Sequence, residues 1–318
     1  MNNKIQIKIE NFENKFTLLT YNIDQAVREE KYEETKWKNR KEFIKKLIIE
    51  VNADIVCLQE LRKLYKDDEE TTEMFLALLS KELNYRFIVD YRNAGELAFG
   101  NAILWKYKKF AMIKHKIKYL SETPNIISDT WSENYGFGAI INGVLLYPVK
   151  NEKIIINSNP FWIFNTHFPL EEEFKTKSCK FLVEYLGKLK EEWLLCGDFN
   201  FFEDKDLNSD KKVFGSKQRE ILTKEGEFQD LCKDSKTLGG KKIVGTFIGF
   251  NHDEFKSDLD NMNSRLDHIF SSKNIKGSNA SQYTRSMKKD FKEDIEEELT
   301  HRNYPSDHLP QLIEIYIK

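Results

Sequence analysis

The chain has 318 residues, of which 40% are hydrophobic and 13% aromatic, enough for a sizeable core in a folded protein. Its 50 basic and 52 acidic residues give a net charge of -2, which excludes a protein that holds nucleic acid through a large overall basic excess. No apolar run approaches the length of about 18 residues that a membrane helix needs, and the N-terminus lacks a signal-peptide core. We therefore expect a cytoplasmic protein without membrane contact.

Strand-like and helix-like segments alternate in the first third of the chain. The run 15–23 ("KFTLLTYNI") predicts a strand that ends near Asn22, and apolar residues at helical spacing predict a helix over 37–51. The buried strand "ADIVCLQE" then ends in Glu60, and the helix "TEMFLALLSKEL" leads to the strands "YRFIVDY" and "GNAILWK". This alternation predicts an α/β or α+β fold.

The middle of the chain adds antiparallel features to this pattern. The basic stretch 106–118 ("KYKKFAMIKHKIK") favours either a nucleic-acid contact or a strand edge protected by lysines, and "GVLLYPVKNEKIII" predicts a hairpin that turns at "KNEK". The strand "FWIFNTHF", a charged helix over about 171–190 and the strand "WLLCGDFN" then restore the alternation. Because no Pro-, Gly- or Ser-rich linker divides the chain, we predict one domain over 1–318.

Polar residues recur where apolar strands end. They are Asn22, Glu60, His167, Asp198 and Asn200. Each alone fits a helix cap or a solvated turn, but their recurrence predicts a site at one edge of the sheets. If the chain is extended at Asp198 and Asn200, both side chains point to one face and Phe199 points into the core.

A buried carboxylate further along needs a partner. Asp267 lies inside the apolar run "SRLDHIF", where an unpaired charge is costly. Its neighbour His268 faces the opposite side of a strand, which makes it a structural or surface residue and leaves His308 and His167 as candidate partners. His308 belongs to "YPSDHLP", for which a proline-stiffened turn is the alternative to a catalytic role.

The residue types indicate a hard metal ion rather than zinc. Carboxylates, amides and histidines fit Mg²⁺, with Mn²⁺ as an alternative, held near a phosphate. The four cysteines have neither disulfide-framework nor zinc-ligand spacing, and Cys57 and Cys196 are predicted to be buried thiols. The sequence also has no Walker loop, nucleophile elbow or dinucleotide fingerprint.

Taken in order, these motifs resemble the endonuclease/exonuclease/phosphatase superfamily of metal-dependent phosphoesterases. The matching stretches are "TYNI", "LQE", "GNAIL", "NTHF", "CGDFN", "RLDHIF" and "SDH". "YLSETP", "GTFIGF" and "YPSDHLP" are similar to signatures of a deadenylase-related branch. The chain departs from that branch at Ile248, where His is usual, and at "NYGFGAIING", where the branch has an Arg-containing strand, and both departures concern the substrate pocket.

The resemblance implies a fold, a set of roles and a class of substrate. The fold would be an α+β sandwich of four layers, in which two mixed sheets pack face to face between outer helices. Glu60 would be the main Mg²⁺ ligand, with Asn22 and Asp307 nearby, and Asn101 would contact substrate. Asp198, oriented with Asn200, would activate the attacking water. His167, and His308 paired with Asp267, would donate to the phosphate oxygens.

Several substrates remain open at this point. A near-neutral surface favours RNA, single-stranded in particular, or a nucleotide over duplex DNA. The alternatives are a DNA endonuclease or exonuclease of the apurinic-site type, a phosphatase of small phosphorylated metabolites, and a catalytically silent binding module. Inositol-phosphate and sphingomyelin hydrolysis rank lower, because a Trp-x-Asp-Arg motif is missing and the candidate loops are charged. No obligate protein partner is evident.

Overall fold

The computed structural model of the chain describes residues 14–24, 36–63, 71–93, 98–127, 139–150, 153–155, 158–201, 216–233, 236–237, 246–247, 265–282 and 305–317. Ile248, the stretch 134–138 and the hairpin turn at 151–152 lie outside the described residues. The statements below concern the described part alone.

Fourteen strands and four helices are formed by these residues. The strands are β1 (Asn14–Asn22), β2 (Ile55–Arg62), β3 (Tyr85–Tyr91), β4 (Phe99–Lys106), β5 (Phe110–Tyr119), β6 (Ile140–Lys150), β7 (Lys153–Ile154), β8 (Phe161–His167), β9 (Glu192–Asp198), β10 (Gln229–Asp230), β11 (Lys236–Thr237), β12 (Asp267–Ser271), β13 (Ile275–Gln282) and β14 (Gln311–Ile317). The helices are α1 (Trp37–Val51), α2 (Thr72–Leu83), α3 (Glu172–Gly187) and α4 (Ser216–Glu220), which continues as a π-helical segment, Ile221–Glu225.

The strands form two mixed sheets. Sheet A has the order β11-β13-β14-β1-β2-β4-β3, and sheet B has the order β10-β12-β9-β8-β6-β5, with β7 as the hairpin partner of β6. The pairs β1 with β2 and β8 with β9 are parallel and are connected through α1 and α3, respectively. This arrangement confirms the α+β class and the predicted hairpin.

Three apolar clusters hold four layers together. The cluster between the sheets includes Leu18, Ile163 and Ile315, all fully buried. A second cluster packs α1 and α2 onto sheet A, and a third packs α3 onto sheet B. The order helix, sheet, sheet, helix is therefore the predicted four-layer sandwich, and alternating side chains on each strand serve two different clusters.

Local sequence explains where the helices end and corrects several predicted boundaries. Asn52 and Asn84 follow α1 and α2 with left-handed backbones (φ 49° and 58°), which asparagine tolerates and which stop a helix. The charged helix α3 is shorter than predicted at both ends, and β2 continues two residues beyond Glu60. No helix in the described ranges has both the length and the apolar character that crossing a membrane requires.

The basic stretch 106–118 falls mostly on an edge strand. It includes most of β5, which pairs with β6 on one side and with no other described strand on the other. Lys114 is exposed, and Lys116 lies over the ring of Trp162, 4.7 Å from its centroid. Edge lysines hinder pairing with foreign strands, so the placement agrees with the protected-edge interpretation.

Candidate active site

Inward-facing side chains change from apolar to polar at the same level on several strands. On β1 this row runs from Leu18 through Thr20 to Asn22, since alternate residues of a strand share one face. We call the side chains at the middle level the polar floor: Thr20, Gln59, Asn101, Asn142, Asn165 and Gln311, all buried. The next level, above this floor, is where the functional residues meet.

Hydrogen bonds within the polar floor connect the two sheets. Gln59 Nε2 of sheet A donates to Thr20 Oγ1 at 3.0 Å and to Asn165 Oδ1 of sheet B at 2.7 Å. Asn165 Nδ2 donates back to the carbonyl oxygens of Leu58 and Ala102, both at 2.9 Å. Because buried polar groups that are paired this way resist sliding, the floor fixes the relative position of the strand ends.

The carboxyl ends of the parallel pairs β1–β2 and β8–β9 converge above the floor. Asn22 Nδ2 lies 3.1 Å from Glu60 Oε1 and 2.9 Å from Asp198 Oδ2. His167 Nε2 lies 3.5 Å from Asp198 Oδ2 and 3.8 Å from Glu60 Oε1. Four of the residues singled out at strand ends are thus brought together, one from each of four strands.

Glu60 is presented by a bulge rather than by the end of a strand. The register between β2 and β4 shifts between Leu58 and Leu61, and Glu60 itself has a φ of 59°. A bulge re-aims one side chain, and here it leaves the Glu60 side chain 18% exposed while its neighbours are buried. The prediction that β2 ends in Glu60 was wrong because alternation cannot show an inserted residue.

Asp198 is held by its backbone surroundings. The preceding Gly197 has a φ of 143°, and a Cβ at that position would lie 1.9 Å from the carbonyl oxygen of Thr166 on β8. Asn200 has a φ of 50°, and its N–H donates to Asp198 Oδ1 at 2.9 Å. The chain is therefore turned, not extended, at Asn200, which corrects the expected geometry, although Phe199 does enter the core as expected.

Asp267 pairs with His308, one of its two candidate partners. His308 Nδ1 lies 2.9 Å from Asp267 Oδ2, and its Nε2 lies 3.6 Å from Asp198 Oδ2. Burial alone would lower the pKa of His308, but the charges of Asp267 and Asp198 outweigh it and hold that pKa well above its ordinary value. His308 is therefore a cation facing the carboxylate cluster.

His268 faces the other side of β12, as its adjacent position predicts. It is fully buried, with its ring 4.7 Å from that of Phe201 and 5.5 Å from that of Phe270. Burial lowers the pKa of His268 to about 3. A neutral, enclosed imidazole that faces away from the cluster is structural, which leaves His308 and His167 as the histidines of the candidate site.

Two residues without an assigned role position the C-terminal motif. Arg40 of α1 donates from its guanidinium to the carbonyl oxygens of Ile23 and Pro305, at 3.1 and 2.6 Å. Thr246 Oγ1 accepts from the N–H of Asp267 at 3.0 Å, while its carbonyl accepts from the N–H of Leu309 at 2.7 Å. Thr246 lies in "GTFIGF", so this motif fastens the start of β12 to the segment that carries His308.

Asp307, Asn200 and His167 complete the rim of the cluster. Asp307 Oδ1 lies 4.0 Å from His308 Nε2, and Asn200 Nδ2 lies 3.0 Å from His167 Nε2. Burial, and after it the positive charges of Arg92 and His308, hold the pKa of His167 well below its ordinary value. His167 is thus neutral beside a cationic His308, and the two imidazoles differ in charge.

The cluster carries an excess of negative charge that fits a divalent cation. Burial raises the pKa of Glu60 and of Asp198, and the charges of Asp24 and Asp307 raise that of Glu60 further. Ligand atoms of Glu60, His167 and Asp198 lie within 4.8 Å of one another. Crowded oxygen ligands with raised pKa values indicate that positive charge belongs among them, and a hard cation such as Mg²⁺ fits.

Asn101, on β4, and Arg92, just after β3, lie beside the cluster. Asn101 is opposite the bulge that carries Glu60 and is fully buried. Arg92 follows β3 and is 7% exposed. Sequence reasoning singled out Asn101 but missed Arg92, although the alternation of Ile88, Asp90 and Arg92 repeats the apolar, polar, functional order of β1.

Comparisons with known proteins agree with this geometry. A model of the family described as "Endonuclease/Exonuclease/phosphatase family" matches residues 19–308. An uncharacterized protein, L388, of Acanthamoeba polyphaga mimivirus is 29% identical over 259 residues, which cover 80% of this chain and 86% of the viral one.

Two solved structures are similar over nearly their whole length. Mannosyl-6-phosphatase Bt3783 of Bacteroides thetaiotaomicron VPI-5482 has 22% identity and a TM-score of 0.67, with 94% of this chain and 99% of that chain covered. ANGEL2, a 2',3'-cyclic phosphatase in complex with adenosine-2',3'-vanadate, has 18% identity and a TM-score of 0.63, with 96% of each chain covered. At these identities, the likeness shows a shared fold.

Proposed function

Because the chain belongs to the endonuclease/exonuclease/phosphatase family and is a phosphoester hydrolase, we propose that it depends on Mg²⁺ and acts on RNA or nucleotides. The observation that carries the proposal is that Asp198, a member of the acidic cluster, lies 3.6 Å from Nε2 of the cationic His308 and 3.5 Å from Nε2 of His167. A phosphate between them would meet a base, a donor and a metal ligand at once.

Glu60, Asn22 and Asp307 are the residues that would hold Mg²⁺. Their oxygen atoms are the ligands that this ion prefers, and Glu60 is the one whose side chain is open to solvent. When bound, the ion offsets the charge of a phosphate oxygen and polarises the phosphorus centre. Burial disfavours the charged carboxylates of Glu60 and Asp198 and raises their pKa values, and a nearby cation would stabilise these charged forms.

The other residues of the cluster would bind, orient and protonate. Asp198, oriented by the N–H of Asn200, would position a water molecule and take its proton. His308, kept cationic and oriented by Asp267, would donate from Nε2 to a phosphate oxygen as charge builds there. His167, whose Nε2 lies 3.5 Å from the same oxygen of Asp198, would donate to a second phosphate oxygen.

The substrate class rests on charge and on likeness. A net charge of -2 suits a nucleotide or an RNA end better than long duplex DNA, whose binding depends on neutralising many phosphates. The structural likeness to ANGEL2, bound to an adenosine-derived vanadate, agrees with a nucleotide-containing substrate. A phosphorylated sugar is the second candidate, favoured by the likeness to the Bacteroides mannosyl-6-phosphatase.

A release assay with two arms tests the proposal. Wild-type protein with Mg²⁺, and the same protein with chelator, would be incubated with single-stranded RNA, nucleotides, abasic DNA and sugar phosphates. We expect chelator-sensitive release of phosphate or nucleotide from RNA or nucleotides, and none from Asp198→Asn protein. Activity confined to sugar phosphates would replace the substrate class, and activity that resists chelation would remove the metal from the proposal.

A further inference from the structure

The row of inward-facing residues on β3 extends into the candidate site. Ile88 packs against the core between the sheets, and Asp90, two residues on, accepts a hydrogen bond from Asn142 of the polar floor at 3.0 Å. Arg92 is two residues further and so continues the same face beyond the strand. Asp90 is opposite Asn101, which is opposite the bulge that carries Glu60, so Arg92 lies one inward-facing position beyond the bulge, where the charges of Glu60 and Asp198 act on it.

Within the described part of the chain, Arg92 is buried without the hydrogen-bond partners that a buried guanidinium normally has. It is 7% exposed, and its Nε and Nη2 atoms are buried with no hydrogen-bond partner among the described residues. No ion pair within those residues includes Arg92, although the charges of Glu60 and Asp198 act on it. The guanidinium thus lies near the carboxylates but in contact with none.

A structural arginine in the same protein looks different. Arg40 is 1% exposed, and its guanidinium donates to the carbonyl oxygens of Ile23, Asp24 and Pro305. Leaving a buried cation without such acceptors costs free energy, so a position that keeps one is expected to serve a ligand. Arg40 therefore stabilises the fold through its hydrogen bonds, whereas Arg92 keeps hydrogen-bond donors that a ligand could use.

The two unsatisfied atoms of Arg92 have the geometry of an oxyanion site. Nε–H and Nη2–H point from one edge of the planar guanidinium and can bind two oxygens of one phosphate side by side. Asn101, on the neighbouring strand, is fully buried, and both its Nδ2 and Oδ1 also have no described partner. Two buried donors, Asn101 on β4 and Arg92 just after β3, therefore border the site without a hydrogen-bond partner among the described residues.

We propose that Arg92 and Asn101 form a subsite that binds the non-bridging oxygens of the substrate phosphate. The subsite lies on the β3–β4 side of the cluster, so the phosphate would be held between Arg92 on this side and His308 on the other. The assignment of phosphate as the ligand rests on the proposed function. The placement of the Arg92 and Asn101 side chains does not depend on the proposed function.

Direct binding of inorganic phosphate tests the subsite without any turnover. Full-length protein with Mg²⁺ would be titrated with inorganic phosphate by calorimetry, as wild type, Arg92→Gln, Arg92→Lys and the control Arg86→Gln. Arg86 is an exposed arginine on the same strand whose loss changes the net charge equally. We expect Arg92→Gln to weaken phosphate binding by about 10–100-fold, the range for a hydrogen bond to a charged group, and Arg86→Gln to leave it unchanged.

Melting temperatures separate a binding role from a structural one. Since Arg92→Gln removes a buried cation for which the described residues provide no hydrogen-bond partner, the phosphate-free variant should melt at or above the wild-type temperature. Arg92→Lys should bind phosphate with intermediate affinity, because it keeps the charge but not the two-pronged edge. Unchanged phosphate affinity in Arg92→Gln, or a lower melting temperature of that variant, would overturn the proposal.

The outcome is distinguishable from a failure of the proposed function. If the wild-type protein hydrolysed no RNA or nucleotide but bound inorganic phosphate through Arg92, the subsite would stand and the substrate class would fall. If RNA were hydrolysed while phosphate affinity did not depend on Arg92, the subsite alone would be wrong.

Discussion

The two parallel strand pairs that build the site hold their carboxylates in different ways. The unit β1–α1–β2 ends in Asn22 and Glu60, and the Glu60 side chain is 18% exposed on a bulge. The unit β8–α3–β9 ends in His167 and Asp198, and the Asp198 side chain is 1% exposed. The same connection, repeated in two sheets, thus produces one carboxylate open to solvent and one enclosed by fixed donors.

That difference fits the different task proposed for each unit. A ligand for an exchangeable ion has to be reached from water, and the bulge gives Glu60 that access. A group that orients a water molecule has to be held in place, and Asp198 is fixed by Asn22 and by the N–H of Asn200. Substitutions in the two units should therefore change different measured quantities.

The largest expected effect is on turnover and belongs to Asp198. Asp198→Asn keeps the shape of the side chain but removes the proton acceptor, so kcat at saturating Mg²⁺ should fall by about 10²–10⁴-fold. Steady-state rates with a Mg²⁺ titration at each substrate concentration would measure this. The half-saturating Mg²⁺ concentration should stay within about threefold of wild type, and a loss confined to that concentration would contradict the assignment.

The next effect is on stability and belongs to the backbone beneath Asp198. Gly197→Ala would place a methyl group 1.9 Å from the carbonyl oxygen of Thr166 at a φ of 143°, so the free energy of unfolding should fall by about 2–5 kcal/mol. Urea denaturation would measure it. The matched control is Gly187→Ala at the end of α3, where a Cβ meets nothing within 4 Å and should cost nothing.

Glu60 should govern the dependence on metal. Glu60→Gln removes a charge from the proposed ion site, so the half-saturating Mg²⁺ concentration should rise by about 10–100-fold, as it does when metal sites lose supporting groups. The rate at saturating Mg²⁺ should change much less. Glu225→Gln, an exposed position on the π-helical segment, is the control. Equal Mg²⁺ dependence in both variants would remove Glu60 from the ion site.

The smallest expected effect lies outside both units, at the contact of His115 on β5 with Asp90 on β3. His115 Nε2 donates to Asp90 Oδ2 at 2.7 Å, and this hydrogen bond raises the pKa of His115. A raised folded-state pKa stabilises the protein fully below the unfolded pKa of about 6.5, and the contribution disappears as the pH rises through the raised pKa.

His115→Gln should therefore lose stability only at low pH. The expected loss at about pH 5.5 is about 0.2–1 kcal/mol, because the side chain is 35% exposed and solvent screens the pair. Denaturation curves of both proteins across the pH range would show it. A constant difference at every pH would mean that His115 contributes by packing alone.

The sequence predicted most of the site because alternation along strands is a strong signal. Asn22, His167 and Asp198 are the last residues of strands that the apolar pattern predicts clearly. Asp267 and His268 face opposite sides because successive side chains of a strand alternate. The choice of His308 as the partner of Asp267 could not follow from local pattern, because it depends on how β14 pairs with β1 across the sheet.

Other features depend on geometry that no local pattern carries. The bulge at Glu60 and the left-handed turn at Asn200 are single-residue irregularities, which leave the hydropathy pattern unchanged. Arg92 was missed because a charged residue just after a strand ordinarily lies in solvent. Its burial in the folded protein, with no hydrogen-bond partner for Nε and Nη2 among the described residues, sets it apart from Arg40 and Arg265, whose guanidinium groups are hydrogen-bonded.

The position of β14 has a consequence for how the protein is made. β14 lies between β13 and β1 in the middle of sheet A, yet it is translated about 290 residues after β1. At roughly 5–20 residues per second, β1 would wait about 15–60 s on the ribosome with one edge unpaired. An exposed edge of this kind invites chaperone binding or aggregation. Under the role proposed for His308, a nascent chain becomes active only after His308 and β14 have left the ribosome.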